Sequence, residues 1–269
     1  MGAYNCADTL PEALESIAAQ TYPHWELVVC DDGSTDSTFA VLQGFAQTQE
    51  GRVTVLQNSR NRQLAYSLNR CLEHAEGTLI ARMDGDDLSC PARLERQVLH
   101  LRSHPEIDLV GSWMRRFDES GRHDIVKVPP APDRWSLRRD APFAHATIMV
   151  RREVYATLEG YTVSERTARN EDYDLWFRFF HAGFRGENLP EALYLVREDE
   201  AAARRRSVKH RWNAYRTTLV GYRMLGYPSR WLVRPTLLTL IKSAVPTQLY
   251  LRYRRQQAAA EHRPGSRVI

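Results

Sequence analysis

Two short apolar runs, residues 25–30 and 78–81, each end in a burst of carboxylates. The first runs into Asp31-Asp32-Gly33-Ser34-Thr35-Asp36. The second runs into Arg82-Met83-Asp84-Gly85-Asp86-Asp87. Apolar runs of this length bounded by turn residues read as buried strands. Residues 52–57 read as a third strand. Amphipathic helices lie between them: one opening at Asp8 or Thr9 with Pro11 in its first turn, one at Asp36 or Ser37, and one over 64–75 with Leu64, Leu68, Cys71 and Leu72 on one face. Strand and helix alternating at this spacing predict an α/β fold, with a mostly parallel sheet flanked by helices. Both carboxylate turns then fall on one sheet edge, where open α/β sheets hold their ligands.

Asp84, Asp86 and Asp87 place three carboxylates in four positions, and they repel one another unless a cation neutralises them. Hard divalent ions such as Mg²⁺ and Mn²⁺ take oxygen ligands and bridge to substrate phosphates. Gly85 would let the backbone approach a ligand closely. Alone, such a pair reads more readily as an acidic turn in water. The second carboxylate turn on the same edge gives it weight.

Further along, 93–103 reads as a helix, 107–117 as a strand, 119–121 as a turn, 144–150 as a strand and 151–158 as a short helix. Asn170-Glu171-Asp172-Tyr173-Asp174 opens a helix whose stripe is Leu175, Trp176, Phe179 and Phe180, and 189–196 is the last strand. From residue 202 the character changes. Segments 204–225, 229–244 and 247–260 read as helices mixing arginines with Trp, Tyr and Leu. Residues 201–269 hold 15 Lys and Arg against one acid, Glu261, while residues 1–200 hold 22 Lys and Arg against 32 Asp and Glu. Such asymmetry divides the chain into an acidic domain over 1–200 and a basic helical segment over 201–269, suited to different partners. Acidic character suits metal and phosphate chemistry. Basic helices with apolar faces suit an anionic membrane surface; a solvated basic cap packed on the domain is the alternative. Cys6, Cys30, Cys71 and Cys90 show neither metal-ligand spacing nor a disulfide framework, which fits a reducing compartment. No leader-like start and no charge-free run of about 18 residues is seen, so a cytoplasmic chain, peripheral to the inner face of the cell membrane at most, is expected.

Taken in order, Tyr4-Asn5, Gln20-Thr21-Tyr22, Asp31-Asp32-Gly33-Ser34-Thr35-Asp36, Met83-Asp84-Gly85-Asp86-Asp87 and Glu171-Asp172-Tyr173-Asp174-Leu175-Trp176 resemble the pattern of family 2 glycosyltransferases. The resemblance covers roughly residues 1–200 and points to the inverting, non-processive members with the GT-A fold, a Rossmann-like sheet. It implies transfer of a sugar from a nucleotide donor, a UDP-sugar by expectation, to a hydroxyl of a glycan or lipid-linked glycan in cell-surface polysaccharide synthesis. It implies that Tyr4 and Asp32 contact the nucleotide and that Asp84 and Asp86 hold Mn²⁺ or Mg²⁺ at the diphosphate. His145 would lie near the donor sugar, with a satisfied half-buried histidine as the alternative. Asp172 would be the catalytic base and Glu171 would orient the acceptor, with a pair that merely complements the helix dipole as the alternative. Asp87 is read as opening a helix, Trp176 as core and Arg62 as solvated.

Two departures from the family pattern stand out. The family begins with an apolar strand before Tyr-Asn, whereas here Met1-Gly2-Ala3 stands where that strand should be ending. The sheet is therefore expected to lack its first strand, with the start assigned late or the chain truncated, and upstream residues would stabilise it. The family also often carries a histidine after the last strand; here Val196-Arg197-Glu198-Asp199 occupies the place, and Asp199 is the substitute oxygen ligand. Two rival readings are a sugar-nucleotide nucleotidyltransferase, which should show a glycine-rich phosphate loop near the N-terminus, and a non-catalytic nucleotide- or glycan-binding protein. An acidic body without a recognised motif argues against nucleic acid as a partner.

Overall fold

The computed structural model describes residues 1–118, 121–198 and 208–244. Strand β1 (Gly2–Ala3) leads to α1 (Leu10–Ala18), β2 (Leu27–Asp31), α2 (Thr38–Gln47), β3 (Val53–Gln57), α3 (Leu64–His74), β4 (Leu79–Ala81) and β5 (Leu88–Ser89). Then come α4 (Arg93–Ser103), β6 (Leu109–Asp118), β7 (Gly121–Val126), β8 (Met149–Arg151), α5 (Arg152–Thr157), α6 (Glu171–His181), β9 (Gly186–Arg197), α7 (Val208–Met224) and α8 (Val233–Ala244). Short 3₁₀ turns stand at Arg134–Arg138, His145–Thr147 and Ser229–Leu232.

Strands β1, β2 and β3 form a parallel sheet in that order, with β2 buried along its whole length. A second sheet runs β4-β8-β6-β9-β5, with β7 paired to β6. Within it β6 and β9 are parallel and the other pairs antiparallel. The mostly parallel expectation thus holds for the first half of the chain and gives way to a mixed sheet in the second. Strand β9 carries Pro190, which lacks an N–H to donate; the β6–β9 register slips there, from Ser112↔Leu189 to Trp113↔Ala192. A first strand is present after all, reduced to two residues, with Gly2 opposite Cys30 and Ala3 opposite Asp31. One isolated parallel bridge, Gly2 to Asp84, connects the two sheets. It sets the chain after β4 alongside β1, so both carboxylate turns do share one edge.

Several local readings change. Residues 144–150 do not make one strand: a 3₁₀ turn carries His145, and β8 begins only at Met149. No helix follows Asp87, which leads directly into β5. Segment 247–260 lies outside the described residues.

The largest apolar cluster gathers on α6, where Leu175, Trp176, Phe177 and Phe179 are each 2% exposed or less. Trp176 is core, as read, with Phe143 edge-on at 5.1 Å. Glu171, Asp172 and Asp174 stand in the first turn of α6 and Arg178 and His181 in its last, complementing the helix dipole at both ends. Helix α7 packs on α6. At the crossing Gly221 lies so close to the Phe177 ring that a methyl group there would overlap it. No helix among the described residues is long and apolar enough to cross a membrane.

Gly221 and Gly44 are both helical, and nothing lies within 4 Å of a methyl group placed at Gly44. Helix propensity alone favours alanine by about 1 kcal/mol at either site, whereas overpacking costs about 1–3 kcal/mol. Urea denaturation is therefore expected to show Gly44→Ala stabilised by about 0.5–1 kcal/mol and Gly221→Ala destabilised by about 1–2 kcal/mol.

Candidate active site

Asp84, Asp86 and Asp87 converge at the seam between the two sheets, with carboxylate oxygens within 4.8 Å of one another. The Asp84 amide donates to the Tyr194 hydroxyl at 3.1 Å, and Asp87 accepts from the Arg197 amide at 2.8 Å, which fixes the turn against β9. Asp87 is 2% exposed; it belongs to the cluster and opens no helix. Burial, then the charges of Asp84 and Asp86, push it up to about 7. Burial and Asp84 also raise Asp86. Three oxygen donors at this spacing, holding excess negative charge, fit a hard divalent cation. Gly85 does not open a path to a ligand, because its free side faces the Cys6 sulfur, Leu10 and Ala3. Glycine stands there to let β1 and α1 pack against the turn.

Arg82, which the sequence reading left without a role, sits at the centre of this group. It is 6% exposed and its Nη1 donates to Asp84 Oδ2 in an ion pair, while its Nε has no hydrogen-bond partner among the described residues. Burial is the largest influence and opposes its charge, but the charge and hydrogen bond of Asp84, together with Tyr194 and Tyr161, outweigh burial and hold it protonated. Its field reaches the far wall of the seam. There His145 donates to or accepts from the Tyr161 hydroxyl at 2.8 Å, and Tyr161 meets Tyr155 at 2.9 Å. Burial, then Arg82, hold the His145 imidazole well below its usual range, so it is neutral.

Glu171 and Asp172 enter the same field from the N-terminus of α6. Burial, then Asp172, push Glu171 up to about 7. Burial raises Asp172 too, against the hydrogen bond its Oδ1 accepts from the Tyr173 amide at 2.8 Å and the charge of Arg82. A carboxylate with raised proton affinity is a stronger base. The group of Arg82, Asp84, Asp86, Asp87, His145, Glu171 and Asp172 is thus one electrostatic unit.

Tyr4 and Asp32 stand on the edge of the three-stranded sheet, where β1 runs beside Asp84. Tyr4 is 47% exposed, beside Asn5, whose side chain accepts from the Thr35 amide at 2.8 Å. Asp32 is 4% exposed and accepts from Asn58 Nδ2 at 2.6 Å, the Arg62 amide at 2.8 Å and the Gln63 amide at 2.8 Å. Three of about four acceptor positions of the carboxylate are thereby filled. Asp32 pins the 58–63 loop and keeps one position for anything else. Arg62 is exposed, as read, with its guanidinium over the Tyr66 ring at 4.2 Å. Asp199 lies outside the described residues.

One turn into α6, Asp174 is buried and takes hydrogen bonds from Thr162 Oγ1 at 2.7 Å, Arg166 at 2.7 Å and Arg178 Nε at 2.8 Å. Burial pushes its proton affinity up, but Thr162, Arg166 and Arg178 overcome burial and lower it. A carboxylate lowered in the folded state adds stability that is complete above its unfolded value, about 3.9, and fades as pH falls through the folded value. Denaturation at pH 7 should show Asp174→Asn less stable by about 3–5 kcal/mol, since it leaves two arginines without their anion. As pH falls below about 4, the wild type should lose stability more steeply than the variant.

Comparison with known proteins bears on this arrangement. The family model described as glycosyl transferase family 2 matches residues 1–158. A Bacillus subtilis protein named as the glycosyltransferase EpsE is 51% identical over 207 residues, covering 77% of this chain and 74% of its own. The amylovoran biosynthesis glycosyltransferase AmsE of Erwinia amylovora is 30% identical over 240 residues, covering 88% and 87%. Among solved structures, S. aureus TarS 1–349 in complex with UDP-GlcNAc superposes with a TM-score of 0.68 at 20% identity, covering 83% of this chain and 64% of that one. The mannosyltransferase PcManGT of Pyrobaculum calidifontis, in complex with GDP-Man and Mn²⁺, gives 0.62 at 23%, covering 98% and 79%. The chain spans less than two thirds of the TarS chains. At these identities the superpositions speak for the fold alone.

Proposed function

The chain belongs to glycosyl transferase family 2 and is a glycosyltransferase, and from that premise we propose that it is an inverting, metal-dependent enzyme. It moves a sugar from a UDP-sugar to a hydroxyl of a glycan or lipid-linked glycan in cell-surface polysaccharide synthesis, at the inner face of the cell membrane. The observation that carries this reading is the pairing, around Arg82, of the Asp84–Asp86–Asp87 cluster with the Asp172 carboxylate. The donor class draws support from the UDP-GlcNAc in TarS and the metal from the Mn²⁺ in PcManGT. AmsE and the Escherichia coli O-antigen biosynthesis glycosyltransferase WbnJ, 30% identical over 187 residues, support the polysaccharide assignment.

Asp84 and Asp86 hold the metal, with Asp199 as a further candidate ligand. Bound there, Mn²⁺ or Mg²⁺ supplies Lewis-acid stabilisation of the departing diphosphate. Tyr4 packs against the nucleotide base. Asp32 acts on the nucleotide partly through the 58–63 loop it pins and partly through its remaining acceptor position. Neutral His145 faces the donor sugar without adding charge.

Asp172 takes the proton of the acceptor hydroxyl as its oxygen forms a bond to the anomeric carbon. The bond from that carbon to the diphosphate breaks, and its electron pair leaves with UDP, inverting the centre. Glu171, held near neutrality in proton affinity, hydrogen-bonds the acceptor and orients it. The α6 N-terminus favours the ionised form of both acids, opposing the desolvation that raises them.

Calorimetry with UDP, with and without Mn²⁺, tests the donor site. Wild type should bind UDP with Mn²⁺ and lose most affinity without it, and Asp86→Ala should bind no better with the metal than without. UDP binding indifferent to Mn²⁺ in a folded chain would sink the metal assignment. Asp172→Asn should keep UDP affinity within about twofold while turnover falls about 10²–10⁴-fold. Undiminished turnover would remove Asp172 from the base role.

A further inference from the structure

Away from the seam, a cleft of about 510 Å³ opens between α8 and the 3₁₀ turn Arg134–Arg138. Four exposed arginines line it, Arg138, Arg139, Arg230 and Arg234, and no carboxylate does. None of the four forms an ion pair among the described residues. Beneath them lies an aromatic floor. Trp231 carries the Arg138 guanidinium at 3.5 Å, and Tyr227 packs against Trp231 at 5.3 Å and stacks on Trp135 at 5.3 Å. Val233 and Leu237, which line the cleft, continue with Leu240 and Ile241 at helical spacing along one side of α8, and the four are each 49–58% exposed. Thr236, on another side of α8, meets the Tyr215 hydroxyl of α7 at 2.8 Å. An apolar stripe of this kind beside unpaired cations wants an occupant that is both apolar and anionic.

We infer that this face docks on an anionic phospholipid bilayer, with the stripe entering the acyl boundary and the four arginines meeting headgroup phosphates. Charge complementarity selects the occupant. Residues 208–244 contain no Asp or Glu, so the same face of a second copy would bring cations against cations. Residues 245–269 carry five arginines against Glu261, so this chain's own tail is repelled by the cleft in the same way. The placement also orients the enzyme. Leu137, in the turn that forms the cleft wall, accepts a hydrogen bond from the Tyr173 hydroxyl, one residue beyond Asp172. The docked face and the N-terminus of α6 are therefore adjacent, and a lipid-linked acceptor would meet the Asp172 side first; this orientation rests on the proposed transferase reading, whereas the docking does not.

The test is co-sedimentation of the full chain with phosphatidylglycerol–phosphatidylcholine vesicles and with pure phosphatidylcholine vesicles. Binding should occur on the former, weaken as salt rises and be far weaker on the latter. Each basic residue at an anionic surface is worth about fivefold in affinity, so Arg230→Glu with Arg234→Glu should cost at least about 25-fold. Leu237→Gln with Ile241→Gln should cost about tenfold or more. Arg252→Ala, Arg254→Ala and Arg255→Ala together should cost less than the cleft pair. All these variants are to show wild-type thermal unfolding before comparison. Absence of binding at low salt, equal binding to both vesicle types, or loss in the tail variant with none in the cleft and stripe variants would each overturn the assignment. UDP calorimetry on the same samples separates the two proposals. Vesicle binding lost with UDP binding intact removes only the docking face, and vesicle binding without UDP binding removes only the donor-site reading.

Discussion

One buried cation makes the seam possible. Asp84, Asp86, Asp87, Glu171 and Asp172 gather around this seam, with Asp87 buried and Asp86 on its open side, and desolvation together with neighbouring acids raises the proton affinity of Asp86, Asp87, Glu171 and Asp172. Arg82 is the charge that offsets this from inside. Its backbone is held as firmly as its side chain: its amide donates to Ile148 at 2.9 Å, and its carbonyl accepts from Arg93 Nη2 at 2.6 Å. Arginine suits the position better than lysine, because a planar, weakly hydrated guanidinium tolerates burial and keeps its proton.

From that point the site is tied outward into the fold. Tyr194 reaches the Asp84 amide from β9. Arg197, further along β9, caps Asp87 through its amide, reaches the Asp86 carbonyl at 2.9 Å and pairs with Glu12 of α1 at 2.5 Å. On the opposite wall Asp174 gathers Thr162, Arg166 and Arg178, which fastens the segment before α6 to the helix that carries Asp172. The candidate groups are thus braced by side chains of neighbouring elements, as preorganised electrostatics requires.

Much of this was legible in the sequence where the signal is local. Strands β2 and β4, the carboxylate turns after them and the acidic first turn of α6 follow from apolar runs, turn residues and helix periodicity. What depends on residues far apart in the chain was not. Antiparallel pairing of β4 with β8 leaves no mark in either three-residue strand. Asp87 reads as a helix opener until Arg197, 110 residues later, turns out to be its partner. Asp32 reads as a ligand contact, and its hold on the 58–63 loop, 26 to 31 residues away, leaves no local trace. Gly85 reads as space for a ligand, yet Cys6 fills that space. Arg82 had one visible clue, a cation directly ahead of three acids at the end of a buried strand.

The lone bridge between Gly2 and Asp84 has a mechanical consequence. Among the described residues it is the single backbone link between the three-stranded and six-stranded sheets, and a cavity of about 90 Å³ lined by Val28, Ile80, Arg82 and Tyr161 lies in the same seam. A ligand gripping both sheets would therefore act as a clasp, and its binding energy would add to the cohesion of the two halves, by about 2.7 kcal/mol at a hundredfold excess over Kd. Without it the halves are held by that bridge and by apolar side chains packed across the seam, Ala3 and Val29 against Met83 and Tyr194 among them. Cooperativity of unfolding, as much as affinity, is then a property that the ligand strengthens.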